Sequence, residues 1–400
     1  MTSTPVLSGK SSMGVLPVLL CFSHLRWNFV YQRPQHLLSR AARDYEVYFF
    51  EEPIFEGTGE ARLELSEQPE GITVATPILP QGMEEAKILR AQRKLVDDLV
   101  AQLGKRPRLC WYYTPMMLPF TKHIDAALRV YDNMDELSAF HGAPPRLLQL
   151  ERELFAHVDI VFTGGHSLYE AKRSRHANVH AFPSSIDAAH FLKARRPRPQ
   201  MPDQASIGRP KLGFFGVIDE RMDLQLVGAA AELRPEWQFM MIGPVVKIDP
   251  AILPRRPNIH WLGAKSYQEL PVYLSDWDVG IMPFALNDST RYISPTKTPE
   301  FLAAGVPTVS TGITDVIRPY GDMGLVEIAS TAEELVQKAQ LLVERAKGPW
   351  LAEVDRYLST ISWDLTWNDM QRLMLKAMDK PEQDIVTTKA SNAEMGGARV

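Results

Sequence analysis

The chain has 400 residues, more than one hydrophobic core usually organises, and its 45% apolar and 23% charged composition suits a folded protein of two domains. Its 44 basic and 48 acidic side chains leave a formal charge of −4, so no global positive field exists to hold a polyanion and no nucleic-acid partner is expected. Two cysteines, Cys21 and Cys110, each in an apolar run, are too few for a disulfide framework or a cysteine-rich zinc site and fit a reducing cytoplasm.

In chain order, residues 1–14 show neither periodicity nor enough apolar side chains for a core, and disorder is expected there. The run "VLPVLLCF", Val15 to Phe22, reads as a buried strand. A secretory leader is the alternative, but only Lys10 precedes the run, Pro17 interrupts it and no small-residue cleavage pattern follows. No other stretch approaches the roughly 18 apolar residues of a membrane span. Next, "WNFVYQRPQHLLSR" (Trp27 to Arg40) forms a loop that runs into a helix beginning near Pro34. Further strands are expected at Glu46 to Phe50, Ile72 to Thr76, Arg108 to Tyr113, Leu128 to Tyr131, Asp159 to Thr163 and Val179 to Phe182. Helical periodicity lies between them at Gln35 to Arg43, Met83 to Leu103, Pro145 to Ala156 and Ser167 to Ser174. The second of these helices carries "KILRAQRKL", whose Lys87, Arg90, Arg93 and Lys94 either form a solvated face or rest on anionic lipid headgroups.

The stretch "KARRPRPQMPDQASIGRP", Lys193 to Pro210, is proline-rich and apolar-poor and reads as an interdomain linker. The alternation then resumes, with strands at Leu212 to Gly216, Gln238 to Gly243, Ile259 to Gly263, Val279 to Pro283, Thr308 to Thr311 and Leu325 to Ile328. Helices are expected at Leu224 to Leu233, Tyr267 to Ser275, Lys297 to Ala304 and Ala332 to Ala346. Ser362 to Met374 is an amphipathic helix whose Trp363 and Trp367 share one face, and residues 379–400 form a disordered tail. Such alternation argues for an α/β protein of doubly wound parallel sheets, helices covering both faces. In such sheets ligands bind at the carboxyl ends of the strands, so the loops after Phe22, Tyr131, Gly216, Gly243, Gly263 and Pro283 frame the expected cleft.

Several common signatures are missing: the dinucleotide glycine fingerprint, the phosphate-binding P-loop, the zinc-protease histidine pair and the hydrolase nucleophile elbow. "DWD", Asp276 to Asp278, has the spacing of a metal-binding carboxylate pair, but it precedes the buried run "VGIMPF" and reads as a polar turn. No metal site is expected.

The most informative segment is "SPTKTPEFLAAGVPTVS", Ser294 to Ser310. Proline is tolerated only in the first turn of a helix, so Pro299 places the cap near Thr296 or Thr298, and Gly305 supplies a left-handed stop. Lys297 and Glu300 therefore share the first turn, at the positive end of the helix. Free amide groups beside a lysine suit a diphosphate, and a carboxylate in the same turn suits two ribose hydroxyls. Together they point to a nucleotide. The alternative is an acidic side chain that merely complements the dipole, next to a solvated lysine.

This segment resembles the nucleotide-binding helix of GT-B glycosyltransferases of the group-one, family-four class through "EFLAAGVPTV", Glu300 to Val309. "GFFGVIDERMD", "FMMIGP", "NIHWLG" and "YQELPVYLSDWDVGIMPF" are similar to other pieces of that class in the same order, and "FPSSIDAAHF" is similar to its crossover. "WNFVYQRPQHLLSR" and "YDNMDELSAF" resemble a narrower bacterial set from polysaccharide and cell-wall biosynthesis. The resemblance implies a GT-B fold of two Rossmann-like domains facing a central cleft. It divides the chain into an acceptor domain at 15–192, a linker at 193–210, a donor domain at 211–358 and a helix at 359–378 that packs back on the first domain. It implies that Glu300 holds the donor ribose, and that Ser294, Thr296, Lys297 and Arg221 hold the diphosphate of a UDP- or GDP-sugar. Gly216 and Gly243 would let the donor approach closely. No cofactor and no metal are implied beyond that donor.

On the acceptor side, Trp27, Gln32 and Arg33 offer stacking and hydrogen bonds to a saccharide or lipid-linked acceptor. Asp132 and Asp135 would act as base or bind acceptor hydroxyls, with local capping as the alternative. His166 is a further catalytic candidate, against a capping or packing role. One departure stands out: eight positions before Glu300, where retaining members carry a glutamate, this chain has Tyr292. Retention is expected from the broader class alone. The expected protein is thus a cytoplasmic, metal-independent glycosyltransferase with peripheral membrane contact as an open alternative. A GT-B nucleotide-sugar epimerase and a non-catalytic sugar-nucleotide-binding scaffold are the rival readings.

Overall fold

The computed structural model describes residues 15–379. The segments expected to be disordered, 1–14 and 379–400, lie outside the described residues apart from Asp379, which ends the last helix. The first half contributes β1 (Val18–Phe22), β2 (Glu46–Phe50), β3 (Ile54–Phe55), β4 (Arg62–Gln68), β5 (Ile72–Leu79), β6 (Arg108–Tyr112), β7 (Leu128–Asn133), β8 (Ile160–Thr163) and β9 (Val179–Ala181). They form one sheet in the order β3-β5-β2-β1-β6-β7-β8-β9, parallel throughout except that β4 pairs antiparallel with β5. The second sheet holds β10 (Lys211–Phe215), β11 (Gln238–Ile242), β12 (Ile259–Gly263), β13 (Val279–Met282), β14 (Thr308–Ser310) and β15 (Val326–Ile328). Its order is β12-β11-β10-β13-β14-β15, and every pair is parallel.

Central strands such as β1 and β10 are buried at every residue, as helices on both sheet faces require, and apart from Lys211 at the start of β10 they carry no charged residue. In each sheet the first strand has neighbours on both sides, β2 and β6 around β1, β11 and β13 around β10. Connections leave in opposite directions there, so the loops after β1 and β10 open crevices that face each other.

Among the elements not anticipated from the sequence are β3, β4 and a helix late in the second half. In β4, "RLELSEQ" is an edge strand with no fully buried residue, and its apolar alternation is confined to Leu63 and Leu65. The helix Lys347–Leu358 buries only Trp350, Val354 and Leu358. The stretch 193–210 differs from a free linker: it contains a helix, Pro202–Ala205, and it is docked on the second half. Arg195 Nε donates to Ala303 O at 2.8 Å, and buried Gln204 bonds Tyr273 O and Trp277 Nε1.

"DWD" is a structural anchor. Asp276 accepts from Gln200, Arg209 and Lys211, and Asp278 accepts from the Lys211 amide at 2.7 Å. Around "KILRAQRKL", Lys87, Arg93 and Lys94 pair with Glu84, Asp97 and Asp98. That face alternates in sign rather than being uniformly basic. No helix among the described residues is long and apolar enough to cross a membrane.

The last helix, Trp363–Met378, returns to the first half, where Trp363, Trp367, Met370 and Met374 enter the core with Trp111 and Phe162. Trp363 stacks on His36 at 4.8 Å, and Asp364 accepts from Arg40 and Arg43. Truncating Trp367 removes a fully buried indole from this seam. Trp367→Ala is expected to lower unfolding free energy by about 3–5 kcal/mol, measured by urea denaturation, and a loss below about 1 kcal/mol would show that the helix is not part of the core.

Candidate functional site

The helix Lys297–Ala304 begins at Thr296, whose side chain makes no capping bond, and ends at Gly305 in the left-handed conformation at φ 75°. Pro299 sits in its first turn, as the sequence required. Lys297 and Glu300 therefore emerge together at the amino end, into a cavity of about 430 Å3 between the two halves. From the second half the cavity is lined by Gly216, Arg221, Gly243, Tyr267, Ser294, Thr296, Lys297 and Glu300, and from the first by Trp27, Tyr31, Gln32, Arg33 and Asp135.

Glu300 is only 6% exposed, yet among the described residues neither its side chain nor that of Lys297 has a hydrogen bond or an ion pair within 4.0 Å, and the Lys297 ammonium lies 5.9 Å from the Phe214 ring centroid. Burial pushes the Glu300 carboxyl up to about 7 against the pull of Lys297, and burial lowers the Lys297 ammonium, partly offset by Glu300. The Glu300 oxygens are not enclosed by protein and open onto the cavity, where they are free to accept hydrogen bonds. Lys297 lies across Gly216, where φ is 135° and a Cβ would collide with the lysine's Cε. Gly243, at φ 147°, packs so closely that a Cβ would strike the Gly216 carbonyl oxygen. The two glycines therefore make room for the lysine and for each other's backbone, rather than for a bound molecule directly.

Arg221 forms a forked pair with Asp219, Nε at 2.9 and 3.1 Å and Nη2 at 2.7 Å, so one edge of the guanidinium is already occupied by a carboxylate. Its guanidinium also faces the Phe140 ring, 5.5 Å from the centroid. Asp135 reaches the cavity; burial raises its pKa, with Arg221 and Arg33 pulling it back. Ser294 joins the halves through its bonds with Ser184.

Of the remaining candidates, all but Gln32 are placed differently from the sequence expectation. Asp132 is fully buried, absent from the cavity wall, and gripped by Arg33 through three contacts of 2.9–3.1 Å. Arg33 is 3% exposed, and its third nitrogen, Nη1, donates to Phe182 O at 2.7 Å. This pair is a brace between the first helix and β7, not a free base and a free cation. Trp27 is packed edge-on against Phe49 with its amide on Glu51 Oε1, which makes it core rather than a stacking platform. His166 is exposed and outside the cavity; it begins the helix His166–Lys172, and Asp315 from the second half accepts from the next amide, Ser167 N, at 3.0 Å. Gln32 keeps its place on the wall, its amide held by Gln35. Tyr292 stands outside the wall under the Arg291 guanidinium.

Sequence reasoning missed the aromatic contact that closes one side. Tyr31 stacks on Tyr267 across the halves at 4.4 Å, and Tyr267 stacks on His190 at 4.1 Å. Tyr31 and Tyr267 are remote from each other in sequence, so no local pattern signals the pair. No group of three or more His, Cys, Asp or Glu side chains among the described residues converges as a metal site.

Residues 209–345 match the family described as Glycosyl transferases group 1. TuaH of Bacillus subtilis, named as a teichuronic acid biosynthesis glycosyltransferase, is 36% identical over 239 residues, covering 55% of this chain. The chain spans 59% of the length of that relative. Among solved structures, sucrose-phosphate synthase from Thermosynechococcus elongatus superposes with a TM-score of 0.68 at 13% identity, covering 90% of this chain and 98% of that one. The trehalose-6-phosphate protein of E. coli bound with UDP-2-fluoro glucose gives 0.66 at 11%, covering 91% and 99%. The catalytic domain of starch synthase IV from Arabidopsis thaliana, bound to ADP and acarbose, gives 0.63 at 12%, covering 92% and 100%. At such identities the likeness is one of fold, and that fold is GT-B.

Proposed function

We propose that this GT-B chain, whose second domain carries the group-one glycosyltransferase sequence, transfers a sugar from a nucleotide diphosphate sugar to a saccharide or lipid-linked acceptor in cell-envelope polysaccharide synthesis. The observation that carries the reading is Glu300, a buried carboxylate with no protein partner, opening into the interdomain cavity beside Lys297 and a helix amino end. The cell-envelope assignment is supported by the likeness to the Bacillus subtilis relative. A cavity of about 430 Å3 is of the size that small-molecule sites show.

In this reading Glu300 accepts hydrogen bonds from two ribose hydroxyls of a UDP- or GDP-sugar. Lys297, the free part of Arg221 and the amides near Ser294 and Thr296 take the diphosphate. As the sugar–oxygen bond breaks, negative charge grows on the departing diphosphate, and these groups stabilise it in place without a divalent ion. Asp135 and Gln32 face the opposite wall and hold the acceptor hydroxyl. We assign retention: the departing phosphate oxygen takes the acceptor proton, and Asp135 orients the hydroxyl without accepting it. With Asp132 locked to Arg33, Asp135 is also the base that an inverting transfer would use, so the anomeric configuration of the product decides between the two roles.

A thermal-shift panel of UDP, GDP, ADP and their sugars tests the donor site. A true donor at a hundred times its Kd adds about 2.7 kcal/mol of stability, and absence of any nucleotide shift overturns the assignment. Transfer to a lipid or saccharide extract then separates this reading from a scaffold, and release of isomerised donor would indicate an epimerase. The scaffold reading draws on Tyr292, which replaces the expected glutamate and lies off the cavity wall.

A further inference from the structure

The loop that follows β7 carries Asp135 into the cavity and then Phe140 to the other half, yet the residues from 134 to 140 contain no regular element beyond one turn, Leu137–Ala139. Something outside the loop must hold it. Beneath it lies Lys172, 3% exposed on the helix His166–Lys172, an unusual place for an ammonium group. Its Nζ lies 2.6 Å from Glu136 Oε2 and 2.8 and 3.0 Å from the two Glu151 oxygens. Arg175 Nη1 adds a second cation on Glu151 at 2.6 Å, so two positive and two negative groups form a neutral cluster.

The cluster reaches Asp135 from both sides. Through Glu136 it grips the residue next in sequence. Glu151 also receives the Tyr131 hydroxyl at 3.3 Å; that hydroxyl accepts from Asn133 Nδ2 at 2.9 Å, and Asn133 Nδ2 donates to the Asp135 carbonyl at 2.8 Å. At its far end the loop meets the donor half, where Phe140 lies between Arg221 at 5.5 Å and Lys247 at 5.6 Å.

We propose that Lys172 is a positioning residue for the reaction: by holding Glu136 and Glu151 it sets the Asp135 carboxylate against the acceptor. Buried ion clusters contribute little net stability when compared with apolar packing, whereas they do fix one geometry, and a shift of about 1 Å in a reacting group costs roughly a hundredfold in rate. The inference rests on the assignment of Asp135 to the acceptor side.

Lys172→Met keeps the length of the side chain and removes its charge. With the full-length protein we expect kcat for transfer to fall at least about tenfold, with donor KM and the nucleotide thermal shift within about twofold of wild type, because the donor groups lie in the other half. Lys172→Arg should recover part of the rate. Hydrogen exchange should rise at residues 134–140 and stay unchanged at 216–223, a readout that needs no activity. Glu136→Gln removes the same grip from the accessible side and should give the same pattern, without adding to Lys172→Met in the double variant; it decides the matter if Lys172→Met does not fold. Wild-type kcat in either folded variant, or unchanged exchange at 134–140, overturns the proposal. A wild-type protein that neither binds nucleotide nor transfers sugar overturns the functional reading instead, and leaves the exchange result to judge Lys172.

Discussion

Glu300→Gln is expected to make the ligand-free protein more stable at pH 8 and to abolish its stabilisation by nucleotide. The carboxyl titrates at about 7 in the folded chain, against an ordinary value of 4.5, because burial opposes its charge. Between those values the folded state keeps a proton that the unfolded state releases. Stability is therefore fully present below the ordinary value and is lost as pH rises through about 7. Glutamine carries no such dependence. A tenfold change in protonation constant is worth about 1.4 kcal/mol, so the variant should gain on the order of 3 kcal/mol over wild type at pH 8 and less than about 1 kcal/mol at pH 5. Nucleotide affinity should fall about a hundredfold, since each hydrogen bond to a charged group contributes about 1.5–3 kcal/mol. Thermal melts at the two pH values, with and without nucleotide, read both effects. A variant less stable than wild type at pH 8 would mean that Glu300 has a protein partner after all.

The second large effect is at Lys297. Lys297→Met leaves a side chain of similar length lying over Gly216, so the packing there is preserved while the ammonium is lost. That ammonium has no carboxylate within 4.0 Å among the described residues, so its N–H donors are free to meet a departing diphosphate. Removal of one such group from a preorganised site costs about 10²–10³ in kcat, measured as transfer at saturating donor. Arg221→Met should cost less, because the Asp219 carboxylate already occupies one edge of the guanidinium. Equal losses at the two positions would show that the lysine has no privileged place.

The comparison between positions 132 and 135 shows where sequence reading stops. Both aspartates leave the same strand end and both looked available to the cleft. Only the distance to Arg33, a residue far away in the chain, removes Asp132 from the list and leaves Asp135. Trp27 and Arg33 illustrate the same point, since a loop beside a crevice suggests contact with a ligand, and here both side chains turn inward to brace the fold. His166 sat at a strand end as well, but its side chain is exposed and does not line the cavity, although Gly164 just before its helix does.

What the amino-acid sequence determined by itself was local. Apolar runs of strand length, separated by helical periodicity, specified two parallel sheets, because burial on both faces leaves that signature in the chain. Pro299 and Gly305 specified where one helix starts and stops, since a ring without an amide hydrogen and a residue free to take positive φ act within a single turn, and Lys297 and Glu300 were thereby confined to its positive end. The tertiary structure alone decided which charges are spoken for. Whether a carboxylate is bare, as at Glu300, or matched, as at Asp132 and Asp276, depends on groups brought within about 3 Å by folding. Hydrogen bonds and ion pairs fall off over that distance in space, whatever the separation along the chain, and so the division of labour around the cavity becomes visible only once the two halves have closed upon each other.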